Sequence, residues 1–120
     1  MKFKKILALA PHTDDIELGC GGLLSRYKDE AEIDAISFTS AQPLSKGSPV
    51  DEFHNAMNLI GANTKFLNFE PRVLNEQRQR VLDTLWKLNQ EKKYDVVFCP
   101  SSYDNHQDHQ VIYQECFRAF

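Results

Sequence analysis

Cysteine is scarce in this chain: Cys20, Cys99 and Cys116 are all it has, at wide spacings and with no C-x-x-C pair. That excludes a disulfide framework and a thiolate zinc site, and the three are expected to be small buried hydrophobes. Long apolar runs are missing as well. The run ahead of Pro11 is only about five residues, short of the roughly 7–15 of a signal h-region. No stretch approaches the ~20 apolar residues of a membrane span, so a cytoplasmic location without membrane insertion is expected. Positive charge has no surplus either: 14 Lys and Arg face 17 Asp and Glu, for a net charge of -3. Without a basic face for phosphates, nucleic acid is not an expected partner. Internal repeats and low-complexity tracts are absent.

What the chain does have is an ordinary globular balance, 42% hydrophobic and 26% charged over 120 residues. That length suits one domain over residues 1–120, with a core burying roughly two-thirds of the unfolded surface. Lys4 to Ala10 reads as a strand buried on both faces. A helix over Gly19 to Glu30 follows, its opening glycines allowing close backbone approach. Ile33 to Thr39 alternates as a second strand. Ala41 to Pro49, rich in Pro, Ser and Gly, reads as a loop beside the same sheet end.

Ser48 then caps a helix with Pro49 at its first position, Phe53, Met57 and Ile60 on one face, and Gly61 closing it. His54 on that helix reads as a surface residue. Thr64 to Phe69 is a third strand. Asn75 to Lys92 is a helix by the spacing of Val81, Leu82, Leu85, Trp86 and Leu88, with the Trp as a packing residue. Tyr94 to Pro100 is the fourth strand, and Val111, Ile112, Cys116, Ala119 and Phe120 mark a last helix. This alternation predicts an α/β fold: a Rossmann-like three-layer sandwich around a parallel sheet in order 3-2-1-4.

In that order the first and fourth strands are neighbours, and ligands bind beyond the carboxyl ends of strands at such a switch point. His12, Asp14 and Asp15 follow the first strand. Asp104, His106, Asp108 and His109 follow the fourth. A lone His in a polar loop is usually just solvated, but histidines and carboxylates converging from two strand ends read better as a metal site. A phosphate cradle is the weaker reading. Gly19-Cys20-Gly21 has Leu24 where the third glycine of G-x-G-x-x-G belongs, and the preceding carboxylates would repel a pyrophosphate.

His12-Thr13-Asp14-Asp15 with its trailing glycines, and Asp104-x-His106-x-Asp108-His109, resemble the two motifs of the PIG-L, or LmbE-like, family of metal-dependent N-deacetylases. Thr13 stands where that family usually has proline. The resemblance covers the whole chain in element order and implies removal of an acetyl group from N-acetylglucosamine conjugates and related acetylated sugars.

By motif position it implies that His12, Asp15 and His109 hold the metal, zinc or another divalent ion such as Fe2+. Asp14 is then the general base and His106 faces the reacting carbonyl. The chemistry agrees with that division: of two adjacent carboxylates one ligates while the other takes a proton from the attacking water, and a protonated His106 helps stabilise the oxyanion. Asp108 is a candidate outer-shell partner that orients a histidine ring. Asp104 and Glu17 read as plain loop and helix-start carboxylates.

Family members usually continue past the second motif. The sequence therefore also reads as the N-terminal part of such a domain, with an uncovered edge strand and helix face that favour self-association, as a homo-oligomer, or a partner. A binding fragment or subunit without turnover is the alternative to an enzyme.

Overall fold

The computed structural model describes residues 2–40 and 48–120. Within them run β1 (Lys5–Ala10), α1 (Asp15–Tyr27), β2 (Glu32–Ser37), α2 (Pro49–Ile60), β3 (Asn63–Phe66), a 3-10 turn (Leu74–Gln77), α3 (Arg78–Lys92), β4 (Val96–Phe98) and α4 (Gln107–Ala119). The four strands form one sheet in the order β3-β2-β1-β4, every pairing parallel. Ala8 at the centre of β1 is flanked by Ala35 of β2 and Phe98 of β4. The direction of growth reverses between β1 and β4, as the alternation predicts.

Strand periodicity divides the core into two layers. Leu7, Leu9, Ile36 and Phe38 pack with Val81 and Leu85 of α3 and Val111, Ile112 and Cys116 of α4. Ile6, Ala8, Ala10, Ile33 and Ala35 pack on the other face with Ile16 and Leu24 of α1 and Phe53, Met57 and Ile60 of α2. The α2 boundaries follow the expected capping chemistry. Ser48 Oγ accepts from Val50 N at 3.1 Å, Pro49 opens the helix, and Gly61 closes it at φ 79, a left-handed conformation that costs glycine nothing.

Several local expectations fail. α1 begins at Asp15 rather than Gly19, so the glycines lie inside it. A Cβ at Gly19 or Gly22 would meet nothing within 4 Å, and one at Gly21 only ordinary contacts of 3.8–3.9 Å. Close backbone approach is therefore not their role. The helix start is set by acidic residues, with Asp14 at the cap and Asp15 and Glu17 in the first turn, where the positive end of the dipole favours carboxylates.

The third and fourth strands stop well short of Phe69 and Pro100, and the third helix is preceded by the 3-10 turn. Trp86 is 57% exposed, because α3 buries the i, i+4 pair Val81 and Leu85 and the next position turns away from that stripe. His54 is no free surface residue: its Nδ1 lies 2.6 Å from Thr64 Oγ1, tying α2 to β3. Of the cysteines only Cys116 is buried, with Cys20 intermediate and Cys99 exposed. In the expected Ala41 to Pro49 loop, residues 41–47 lie outside the described residues. Among the described residues no helix is long and apolar enough to cross a membrane.

Candidate metal centre

The site is built where β1 and β4 end. Pro11 O accepts both Thr39 N at 3.0 Å and Thr39 Oγ1 at 2.9 Å, which fixes the exit of β1 against that of β2. The chain then closes a tight turn: His12 N donates to Asp15 Oδ2 at 2.7 Å, and Asp15 N to His12 O at 3.4 Å. This turn tucks His12 inside, only 7% exposed. From the other strand, His106 caps α4 by accepting from Asp108 N at 3.1 Å through Nδ1. That places Asp108 and His109 in the first helical turn, facing back over β1.

The two clusters meet. His12 Nδ1 is 3.2 Å from His109 Nε2 and 3.5 Å from Asp15 Oδ2, and His109 Nε2 is 3.2 Å from the same Asp15 oxygen. Zinc binds nitrogen and oxygen at about 2.0–2.2 Å, and a tetrahedron of that radius has edges of about 3.3–3.6 Å. The three separations thus sit at or just inside the edge length of a tetrahedral site. His106 belongs to the same histidine cluster, with one ligand atom from each of His12, His106 and His109 within 4.8 Å of the others. That wider group can hold an ion too, although His106 Nδ1 is already engaged by the Asp108 backbone.

Around this triangle stand further carboxylates. Asp108 is fully buried. Its Oδ2 lies 3.0 Å from His12 Nε2 and accepts from Arg72 N at 2.8 Å, while Oδ1 accepts from Leu74 N at 3.5 Å. Arg72 takes a left-handed φ of 70 to present that N–H, a conformation that costs a non-glycine residue roughly 1–2 kcal/mol. Asp104, set aside in the sequence as a plain loop carboxylate, places Oδ2 2.7 Å from His109 Nδ1. The general habit of ligating histidines to lean on an outer acceptor was the signal that could have found it.

Charge in the site is balanced between neighbours. Burial pushes the Asp15 carboxyl up, but hydrogen bonds from the His12 ring and backbone, with the nearby His109, outweigh it and hold the carboxyl below its usual range. Burial likewise presses the His12 ring down, and the hydrogen bonds to Asp15 and Asp108 more than offset it, leaving the ring with a raised pKa. Glu17 turns Oε1 inward, where it meets no hydrogen-bond partner among the described residues, and burial raises its carboxyl.

The two residues read as catalytic are placed differently. Asp14 caps α1 with φ -109 and ψ -2, in the bridge region where many active-site residues sit, and its side chain makes no capping bond. Its carboxylate stands exposed beside the triangle in the chain. His106 is also exposed, and because its Nδ1 accepts the Asp108 N–H, that nitrogen carries no proton. The ring therefore donates through Nε2 as a neutral imidazole, which replaces the doubly protonated His106 of the sequence reading. Alongside lies a cleft of 470 Å³ whose lining includes Asp15, Asp104 and His109 together with the apolar Leu9, Ile16, Leu18 and Phe98.

Residues 7–120 match the family model described as "PIG-L: GlcNAc-PI de-N-acetylase". An Escherichia coli (strain K12) protein named "Uncharacterized deacetylase YaiS" is 33% identical over 122 residues, covering 94% of this chain and 66% of that one. The N,N'-diacetylchitobiose deacetylase of Pyrococcus horikoshii, solved with its inhibitor MPG, superposes with TM-score 0.80 at 25% identity over 98% of this chain and 49% of that one. The conserved protein TT1542 of Thermus thermophilus does so with TM-score 0.73 at 32% identity, over 95% of this chain and 54% of that one. The chain thus spans about half the length of these solved relatives.

Proposed function

The chain belongs to the PIG-L family, and from that premise we propose that it is a zinc-dependent N-deacetylase acting on an acetylated amino sugar or sugar conjugate. The observation that carries the reading is the triangle of His12 Nδ1, Asp15 Oδ2 and His109 Nε2, with sides of 3.2, 3.2 and 3.5 Å. Two nitrogens and a carboxylate oxygen are a donor set that suits zinc, and three protein ligands leave a coordination position for reaction. Other divalent ions accept the same donors, Fe2+ among them.

Bound there, the cation would act as a Lewis acid on the amide carbonyl and acidify water. The chain's own residues divide the remaining work. Asp15 is committed to the cation and to His12 N, so Asp14, uncapped and exposed, takes the proton of the attacking water and returns it to the departing amine. His106 donates from Nε2 toward the charge that develops on the carbonyl oxygen. It is pre-oriented because Nδ1 is locked to the α4 backbone, and a donor needing no rearrangement is the effective kind. Asp108 holds the His12 ring by Nε2 and leaves Nδ1 for the cation.

The test is amine release by the full chain from N-acetylglucosamine and its conjugates, with added zinc and with a chelator. Zinc-dependent release of one amine and one acetate per turnover, lost in Asp14→Asn, is expected. Bound metal with no amine released from any such substrate would instead mark the chain as a binding module.

A further inference from the structure

Resting on that reading of the metal centre, we infer that Asp104 is a positioning residue that selects which nitrogen His109 offers to the cation. A carboxylate can only accept, so the 2.7 Å contact between Asp104 Oδ2 and His109 Nδ1 requires the proton on Nδ1. The neutral ring then has a bare Nε2, the atom that faces His12 and Asp15.

The same logic applied to Asp108 puts the His12 proton on Nε2 and bares Nδ1. The two ligand histidines are thus held in opposite tautomers by two different carboxylates. In these neutral tautomers His12 Nδ1 and His109 Nε2 turn their lone pairs toward Asp15 Oδ2 across 3.2–3.5 Å. In the metal-free chain a proton on His12 Nδ1 bridges that space when the ring is charged, and a bound cation would take the proton's place.

Asp104 is built for this and not merely near it. Its second oxygen accepts His106 N at 2.9 Å, so both oxygens are used as acceptors. Its backbone is held on either side, with Asp104 N donating to Ser101 O at 3.2 Å and Gln110 Nε2 donating to Asp104 O at 3.3 Å. One side chain outside α4 therefore fixes both the tautomer of His109 and the backbone of His106 at the helix cap.

Asparagine separates these roles, since it has one acceptor oxygen and presents an NH2 group in place of the other. If its oxygen keeps the His106 N–H, the NH2 faces His109 Nδ1 and forces that nitrogen to become an acceptor, moving the proton to Nε2. Asp104→Asn should then fold as the wild type does, with an unchanged circular dichroism spectrum. It should bind zinc 10–100-fold more weakly, the usual cost of losing an outer-shell partner. In metal-free protein, at a pH above the imidazole range, ring 15N shifts should place the His109 proton on Nδ1 in the wild type and on Nε2 in Asp104→Asn.

Wild-type zinc affinity in Asp104→Asn, or a wild-type His109 protonated on Nε2, overturns the assignment. The metal-free spectra judge it even where a variant folds poorly, because the wild type alone can contradict it. A wild type that takes up no zinc at all refutes the metal centre instead, and leaves the tautomer result standing on its own.

Discussion

Asp108 and His12 lie 96 positions apart in the chain and meet at 3.0 Å, the carboxylate wholly buried and the ring nearly so. The contact exists because β1 and β4 are neighbours, and it joins the two polar clusters. It also makes Asp108 a structural hub, since the same side chain accepts from Arg72 N and Leu74 N.

Asp108→Ala should accordingly cost stability as well as metal. Removing the acceptor strands a part-buried backbone donor at Arg72 and the buried, more distant donor at Leu74, and each orphaned group costs about 1–3 kcal/mol. A loss of about 2–4 kcal/mol in urea denaturation of the metal-free chain is expected. A loss below about 0.5 kcal/mol, the lower edge for a net hydrogen bond, would show that water replaces the carboxylate and that the hub is not structural.

At the opposite end of the sheet, Asp34 accepts from Tyr94 Oη at 2.6 Å and Asn63 Nδ2 at 3.0 Å and pairs with Lys92 Nζ at 2.9 Å. Tyr94→Phe keeps the ring and removes one bond to a charged acceptor, a change worth about 1.5–3 kcal/mol. The urea midpoint should fall accordingly while zinc content stays unchanged. Loss of zinc together with stability would mean that the two ends of the sheet are coupled.

The dependence of stability on pH follows from the direction of each shift. His12 holds its proton more tightly folded than unfolded, so its contribution is complete below its ordinary value of 6.5 and is lost as pH rises through the raised folded value. Asp15 and Asp34 are depressed. Their contributions are present above the ordinary 3.8 and are lost as pH falls through the lower folded values. Metal-free protein in a chelator should be most stable between these limits. A urea midpoint that climbed steadily from pH 6 to 8, two arbitrary settings about half a unit below and 1.5 units above the free imidazole value, would contradict the His12 shift.

Much of the fold was legible because the apolar runs were short, alternated with helical spacing and ended in polar clusters, which leaves few topologies. Strand order then brought His12 to His109 without any contact being visible in the sequence. Local boundaries were less legible where two signals competed. The glycines at 19, 21 and 22 suggested that the helix opens at Gly19, yet it starts at Asp15, where the acids Asp15 and Glu17 favour it through the dipole. Asp104 was set aside because no periodicity links a loop residue to a helix position five residues on. The His54 to Thr64 contact and the outward turn of Trp86 depend on how α2 and α3 rotate against the sheet, and residue type alone does not fix that rotation.

The division of labour proposed for the adjacent carboxylates Asp14 and Asp15 is tested by separating binding from turnover. Asp14→Asn should retain zinc at wild-type affinity and lose at least about 100-fold in kcat, the lower range for a general base. His106→Ala should lose turnover in the same way and also destabilise the chain through the vacated α4 cap, by about 0.5–2 kcal/mol, read as a lower melting temperature. Zinc loss in Asp14→Asn would reverse the roles given to Asp14 and Asp15.

The central claim is that His12, Asp15 and His109 form one cation site, and metal content after purification and dialysis against zinc tests it most directly. One zinc per chain is predicted for the wild type, falling to near zero in His12→Ala and His109→Ala and strongly reduced in Asp15→Asn. Zinc retained at one per chain in the His12→Ala, His109→Ala double variant would contradict the claim.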